Sequence, residues 1–397
     1  MHVDKSIQCP GFVAAGVSAG IKKKTGLDLG LIYSQHPAVA AGMFTRNRVM
    51  AAPVLVTREH TANGTARAIV ANAGCANCCT GSQGLAHANA MCGAAASGLG
   101  LDPEQVLVAS TGVIGAPLPI DKVRAVMPDL IAQLRPEGFE SFARAIMTTD
   151  TVPKLSSRQG NLDGRRFTIL AVAKGAGMLR PDMATMLCFI CTDLAAPAQV
   201  LQAALRRAVD RSLNRISVDG DTSTNDTVLL MANGASGAVV ETSAQQQSFQ
   251  TLLDDLLMEI ARHLVRDGEG VTKVVEIKVK GAASDGDAFR IADTVAHSPL
   301  VKTAFFGEDA NWGRIMCAAG HAGVVIDPQS IDIFFDAIQM VAAGQGCGGE
   351  REAQATAVMK QPEFTVTIDL HAGDGQADLL TCDFSVDYVK INADYRS

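Results

Sequence analysis

Lys174-Gly-Ala-Gly-Met-Leu-Arg-Pro-Asp-Met-Ala-Thr-Met-Leu-Cys-Phe-Ile-Cys-Thr-Asp193 joins two apolar runs, and its reading decides the fold. Phe167 to Ala173 predicts one buried strand and Met186 to Cys191 a second, both rich in β-branched and aliphatic residues. Gly175, Gly177 and Pro181 between them punctuate a tight connection rather than a helix. Thr185 stands where the second run begins. A threonine in that position packs well in a sheet. The alternative is that the chain cuts itself between Ala184 and Thr185, so that Thr185 becomes a new N-terminus and its hydroxyl a nucleophile.

Lys174 to Met178 followed by Pro181-Asp-Met-Ala-Thr-Met-Leu187 resembles the self-cleaving segment of the ornithine acetyltransferase (glutamate N-acetyltransferase) family of arginine biosynthesis. Four further strings resemble that family in its order. They are Ser110-Thr-Gly-Val-Ile-Gly115, Ser217-Val-Asp-Gly-Asp-Thr-Ser-Thr-Asn-Asp-Thr227, Gly307-Glu-Asp-Ala-Asn-Trp-Gly-Arg314 and Ile391-Asn-Ala-Asp-Tyr-Arg-Ser397. Together they span nearly the whole chain. Ala73 and Cys75, in the turn Asn72 to Gly81, depart from the Ser and Asn usual there, respectively, which weakens any polar role for those two positions.

The resemblance implies a mixed α/β protein: an α+β sandwich of layered sheets and helices of the N-terminal-nucleophile kind, with a smaller C-terminal α/β domain. The expected division is 1–275 and 276–397, with cleavage at 184/185 into 1–184 and 185–397 and the C-terminal end returning to the active site. It further implies ping-pong acetyl transfer from N-acetylornithine to glutamate, without a cofactor or metal, in a cytoplasmic heterotetramer of two copies of each cleaved chain. Acetyl-CoA as a second acetyl donor is an open alternative. Thr185 would attack the acetyl carbonyl, Thr111 and Gly112 would hold the oxyanion, and Thr148, Lys174, Thr185, Glu269, Asn392 and Ser397 would contact substrate. Thr149 competes with Thr148 for the same match.

Composition is ordinary for a soluble globular protein. The 397 residues are 48% hydrophobic and 19% charged, enough for two domains and a large core. A net charge of −7 with no long basic run argues against nucleic acid or an anionic membrane as partner. Lys22-Lys-Lys24 is expected to be a solvated turn, and Gly20 and Gly26 beside it lack the Gly-Lys-Ser/Thr of a phosphate loop. No apolar run approaches the roughly 18 residues of a membrane span, and Met1 to Gly11 has no signal core, so a cytoplasmic location is expected. Ten cysteines are then free thiols. Cys75/Cys78 and Cys188/Cys191 share metal-ligand spacing, but they lie over a hundred residues apart and the second pair falls in an apolar strand.

Along the chain, Leu27 to Tyr33, Ala68 to Ala71 and Val106 to Ala109 predict strands, the last delivering Ser110-Thr111-Gly112 to its end. Helices are expected at Gly84 to Gly98, Asp121 to Leu134, Phe139 to Met147, Val200 to Leu213 and Ser248 to Val265, with Gly268 capping the last. Asp219 to Thr227 is a polar loop leading into the strand Val228 to Ala232. Val275 to Val279 alternates as a half-buried strand, and Phe364 to Leu370 is expected to turn at Gly373-Asp-Gly375 into a hairpin with Ala377 to Phe384.

A threonine hydroxyl needs a base to take its proton. Cleavage before Thr185 would supply its own α-amino group, with a reference pKa of about 7.7–8.0, and no histidine triad is then needed. Lys174 and Glu269 would serve substrates that share an amino-acid head and differ in side-chain charge. Two other readings use the same residues: an amidase or aminopeptidase in which water replaces glutamate, and a catalytically silent protein that binds acetylated amino acids. The intact Met183-Ala184-Thr185 and Thr111-Gly112 argue against the silent protein.

Overall fold

A computed structural model describes residues 7–23, 25–180 and 186–394. Thr185, Ala184 and Ser397 lie outside the described residues. The chain divides into two compact units, one of residues 1–214 and 221–264, the other of residues 215–220 and 265–397. Each has its own sheet, and the mixed α/β class expected from the sequence holds.

In chain order the first unit runs β1 (Phe12–Val17), β2 (Leu29–Phe44), α1 (Ala52–Thr61), β3 (Thr65–Cys75), α2 (Gly81–Leu99), β4 (Val106–Val113), α3 (Ile120–Ala132) and α4 (Phe139–Ile146). It continues with β5 (Lys154–Leu162), β6 (Arg165–Lys174), β7 (Leu187–Thr192), α5 (Ala198–Arg211), β8 (Thr227–Ala232) and α6 (Ser243–Arg266). The strands hydrogen-bond in the order β4-β3-β2-β8-β7-β6-β5, with β1 on β2. The two apolar runs flanking the central stretch are β6 and β7, paired antiparallel with Lys174 opposite Leu187.

Strands in a sheet lie about 4.8 Å apart, so a flat sheet would hold β4 and β5, at opposite ends of that order, roughly 29 Å apart. They nevertheless share one core. Ile32, Ile69 and Leu107 of β2–β4 are buried in one cluster with Leu155, Leu170, Phe189 and Met231 of β5–β8 and with Phe139, Phe142 and Ile146 of α4. The sheet therefore folds over on itself around α4. The bend coincides with β2, whose register against β3 is irregular between Tyr33 and Ala38 and whose two halves pair with β1 and β8 on the side away from β3. Extra residues in one strand bend it and add twist.

Side chains alternate across a strand, so Val70 and Val108, beside Ile69 and Leu107, point the other way. They pack under α1, α2 and α3 against Val56, Met91, Cys92, Val123 and Met127. Burial on both faces explains why these strands read as unbroken apolar runs. It also disposes of the Cys188/Cys191 spacing: residues three apart on β7 face opposite sides and cannot converge on one ion. Both thiols are wholly buried, and burial pushes the Cys188 thiol up to about 12.

The second unit holds β9 (Val274–Ala282), α7 (Asp285–His297), α8 (Pro299–Phe306), α9 (Trp312–Gly320), β10 (Asp332–Phe335), β11 (Ile338–Ala342), β12 (Gln345–Gly346), α10 (Gly349–Met359), β13 (Glu363–Asp369), β14 (Gly375–Cys382) and α11 (Val386–Ala393). Its strand order is β12-β11-β10-β13-β9-β14. The expected hairpin is not formed. β9 lies between β13 and β14, parallel to the first and antiparallel to the second. One face of β9, carrying Val275, Ile277 and Val279, packs in the core that holds Ile291 and Val295 of α7.

Two local expectations also change. Gly268 does not take a left-handed conformation; Gly270 does, at φ 68°, and a side chain there would meet the backbone nitrogen of Tyr388 at the start of α11. The lysine turn is built rather than merely solvated, because buried Asp28 accepts from the backbone N–H groups of Ala19, Ile21 and Lys22.

Phe142 is wholly buried and meets Phe189 edge to face, ring centroids 5.5 Å apart. Phe142→Ala should lower the stability of the first unit by about 3–5 kcal/mol. Calorimetry should show the exposed Leu55→Ala within about 0.5 kcal/mol of the parent.

Candidate active site

The site is built where β4 and β6 end. In the strand order five gaps separate them, yet Lys174 Nζ donates to Thr111 Oγ1 at 3.2 Å. Both side chains are buried, Lys174 at 3% and Thr111 at 6% exposure. The folding over of the sheet is what makes this contact.

Gly112 follows at φ 131°, a conformation that L side chains rarely adopt. A Cβ there would stand 2.4 Å from the carbonyl carbon of Gly74, itself at φ 101° on the neighbouring parallel strand. The registers of β3 and β4 slip at this point. The close approach of the two backbones excludes any residue but glycine at 112.

Polar side chains below fix the strand ends. Ser110 Oγ donates to Asn72 Oδ1 at 2.6 Å, and Asn72 Nδ2 donates to the Cys75 carbonyl at 2.9 Å. Asn225, from the polar loop before β8, donates to the carbonyls of Ala76 and Ser110 at 2.7 and 2.9 Å. One buried amide thereby clamps the two segments that carry Cys75 and Thr111. The thiol of Cys75 is buried and points to the Ala116 carbonyl, 3.3 Å away, and burial raises its pKa.

A charge cluster lies beneath Lys174. Asp150 and Lys154 pair at 2.7 Å with both side chains fully buried. The other Asp150 contacts are the backbone N–H of Gly175 at 2.7 Å and that of Thr148 at 2.9 Å. Burial alone would raise the Asp150 pKa. The Lys174 and Lys154 ammonium groups, with these hydrogen bonds, more than offset it and hold the carboxyl well below the usual range. Thr148 is thus brought beside the same carboxylate as the start of the central stretch. Its backbone, rather than that of Thr149, makes the bond to Asp150.

On the far side of that stretch, Met186 N donates to Asp226 Oδ1 at 2.9 Å. Sequence reasoning placed Asn225 and Asp226 only in a polar loop and passed over Asp150 and Lys154. The string Ser217 to Thr227 contained the first pair, and Asp150 follows Thr148-Thr149 directly.

In the second unit Glu269 and Asn392 are brought together. Asn392 Nδ2, on α11, donates to Glu269 Oε2 at 2.8 Å, and Glu269 is buried. The string Gly307 to Arg314 serves the fold here: Asn311 caps α9, and Glu308 pairs with Lys273 at 2.8 Å. Among the described residues no group of three His, Cys, Asp or Glu side chains is arranged to hold a metal ion. No helix of the described residues is long and apolar enough to cross a membrane.

Asp150 has a depressed pKa, so its contribution to stability is present above the unfolded value of about 3.9 and is lost as pH falls toward the folded value. Asp150→Asn removes the buried carboxylate that pairs with Lys154 and should cost about 3–5 kcal/mol near neutral pH. The gap between parent and variant, followed by chemical denaturation, should narrow as the pH drops below about 4.

Comparison with known proteins gives one answer. The ArgJ family is matched over residues 13–397. The arginine biosynthesis bifunctional protein ArgJ of Geobacter sulfurreducens is 52% identical over 98% of this chain and 99% of its own length. That of Syntrophotalea carbinolica is 51% identical over 98% of this chain and all of its own. A crystal structure of the Bacillus halodurans ArgJ protein aligns with TM-score 0.50 and 38% identity, covering 52% of this chain and 97% of that chain.

Proposed function

The chain belongs to the ArgJ family, and from that premise we propose that it cuts itself between Ala184 and Thr185 and uses Thr185 as its acetyl-accepting nucleophile. The activity is that of an acetyltransferase of arginine biosynthesis, an ornithine acetyltransferase. The residue roles below are our assignment.

One observation carries it. The two described ends of the stretch containing Thr185 are held at Thr111: Lys174 pairs across the sheet with Leu187, and its ammonium donates to Thr111 Oγ1. Leu187, two residues after Thr185 in the chain, is thereby paired with the residue whose ammonium reaches Thr111. The proportions of the Bacillus halodurans chain also fit. It is about half as long as this one, as a product of a cut at 184/185 would be.

In the proposed reaction Thr185 Oγ attacks the acetyl carbonyl of N-acetylornithine while the freed α-amino group takes the hydroxyl proton. Thr111 Oγ1 and the Gly112 N–H receive the developing oxyanion; one such donor is worth on the order of 3 kcal/mol. The C–N bond breaks, ornithine departs with the proton, and the acetyl group rests on Thr185 as an ester. Glutamate's amine then attacks the ester carbonyl, the C–O bond to Thr185 breaks, the amine's proton passes to Thr185 Oγ, and N-acetylglutamate leaves. Lys174 stands beside Thr111 to hold an anionic head group. Thr148, Glu269, Asn392 and Ser397 are assigned as substrate contacts by resemblance alone. The curated relatives are bifunctional proteins, and a second activity that the same ester supports is acetylation of glutamate from acetyl-CoA. A hydrolase would use the same nucleophile, and the full-length match to ArgJ proteins favours the transferase.

Intact mass tests the nucleophile. The parent should give two chains split at 184/185, and Thr185→Ala one folded, inactive chain; two fragments from that variant would remove Thr185 from the cleavage. Thr111→Ala should lower kcat by roughly two orders of magnitude with little change in KM. A rise in KM alone would make Thr111 a ground-state contact.

A further inference from the structure

Asp226 is 1% exposed, and its carboxyl Oδ1 accepts from Met186 N at 2.9 Å. Its second oxygen, Oδ2, is buried and has no hydrogen-bond partner among the described residues. An orphaned carboxyl oxygen in a protein interior is costly, and native structures rarely keep one without a use. The surrounding loop is otherwise closely bonded. Thr45 N donates to the Asp226 carbonyl, and Asn225 and Thr224 are satisfied by Ala76, Ser110 and each other.

Met186 is the residue after Thr185, so the Asp226 carboxyl stands one peptide unit from the proposed nucleophile. We propose that Asp226 is a positioning residue for Thr185: Oδ1 anchors the strand that starts at Met186, and Oδ2 receives the α-amino group that self-cleavage frees on Thr185. This rests on the reading of Thr185 as nucleophile. The ammonium form of that amine would be the counter-charge which the buried carboxyl lacks, and the amine would be fixed beside the hydroxyl whose proton it must take.

The electrostatic surroundings agree. Burial pushes the Asp226 carboxyl well above its usual range, opposed by the Met186 N–H and by the charge of Lys174 on β6. Lys174 is the one charged side chain among the described residues that acts on it; β2 and β8, at this level, bring Phe44 and Thr227, and β7 brings Leu187. Beyond Lys174 lie Asp150 and Lys154. A second cation arriving at Oδ2 would therefore meet an oxygen that has no hydrogen-bond partner among the described residues.

Asp226→Asn separates the two oxygens. The amide oxygen can still accept from Met186 N, but the amide nitrogen cannot accept from an amine. Parent, Asp226→Asn and Asp226→Ala are weighed as intact proteins, melted, and assayed for acetyl transfer from N-acetylornithine to glutamate across neutral pH. Asp226→Asn should melt with the parent, be cleaved like it, and lose on the order of 10–100-fold in kcat with KM within about threefold. A folded but uncleaved variant, in which no amine is freed, would assign Asp226 to the cleavage step and overturn the proposal. In the cleaved variant the acid limb of kcat/KM should move to lower pH, because the amine has lost the carboxylate that favoured its protonated form. Parental kcat and acid limb in Asp226→Asn overturn it as well. So does a fall in melting temperature, in Asn and Ala variants alike, that accounts for the loss, since Asp226 then serves the fold alone. A failure of the nucleophile reading itself shows earlier, as an uncleaved parent, and removes both.

Discussion

The site depends on one carboxylate. Asp150 joins a turn after α4, the first residue of β5's buried pair Lys154, and Gly175 at the head of the central stretch, and its charge compensates Lys174 above it. Two buried lysines act on this one buried aspartate, Lys154 as a direct ion pair and Lys174 through its nearby charge. Such an arrangement is expensive unless each group has its hydrogen bonds, and here the backbone supplies part of them. Its product is a fixed ammonium next to Thr111, in a place where a substrate carboxylate or a developing oxyanion gains more than it would in water.

The backbone provides the second constraint. Gly112 approaches the Gly74 backbone so closely that it cannot carry a side chain, and the register of β3 and β4 slips at this point beside Thr111. Asn225 then holds both segments from the loop before β8. Acyl transfer gains most from donors that are in place before the charge develops, and rigid, buried supports of this kind serve that end. The family's acetyl transfer and the proposed self-cleavage both pass through a tetrahedral oxyanion, so one preorganised turn can assist both.

Much of the fold was legible in the residues. β6, β7, α2, α4, α5 and α6 announced themselves by apolar periodicity, because burial on one stripe of a helix or on both faces of a strand leaves a pattern in a short window. Misreadings arose where a partner remote in sequence decided the outcome. The turn at Gly373-Asp-Gly375 looks like a hairpin, but β9, about a hundred residues earlier, inserts between the two strands. Gly268 has the look of a helix stop, while the contact of Gly270 with the start of α11 puts the left-handed residue two positions later. Asp28 turns a run of lysines into a built loop by collecting its N–H groups.

By itself the sequence determined the family and the residues worth watching: Thr111, Gly112, Lys174 and Thr185 stand in strings too long and uncommon to be turns by chance. It also indicated nine strands and five helices among the described residues, those with the clearest local pattern, and passed over β1, β5, β10–β12 and the helices α1 and α7–α11. Only the tertiary structure decided that β4 and β6, five strands apart in the sheet, meet through Thr111 and Lys174. It alone showed that Asp150, Lys154 and Asp226 are buried, and that one oxygen of Asp226 is left unpaired beside Met186. The physical reason is the same in each case. A charged residue reads as solvated in a sequence, because its burial is set by partners that a folded-over sheet brings from far along the chain.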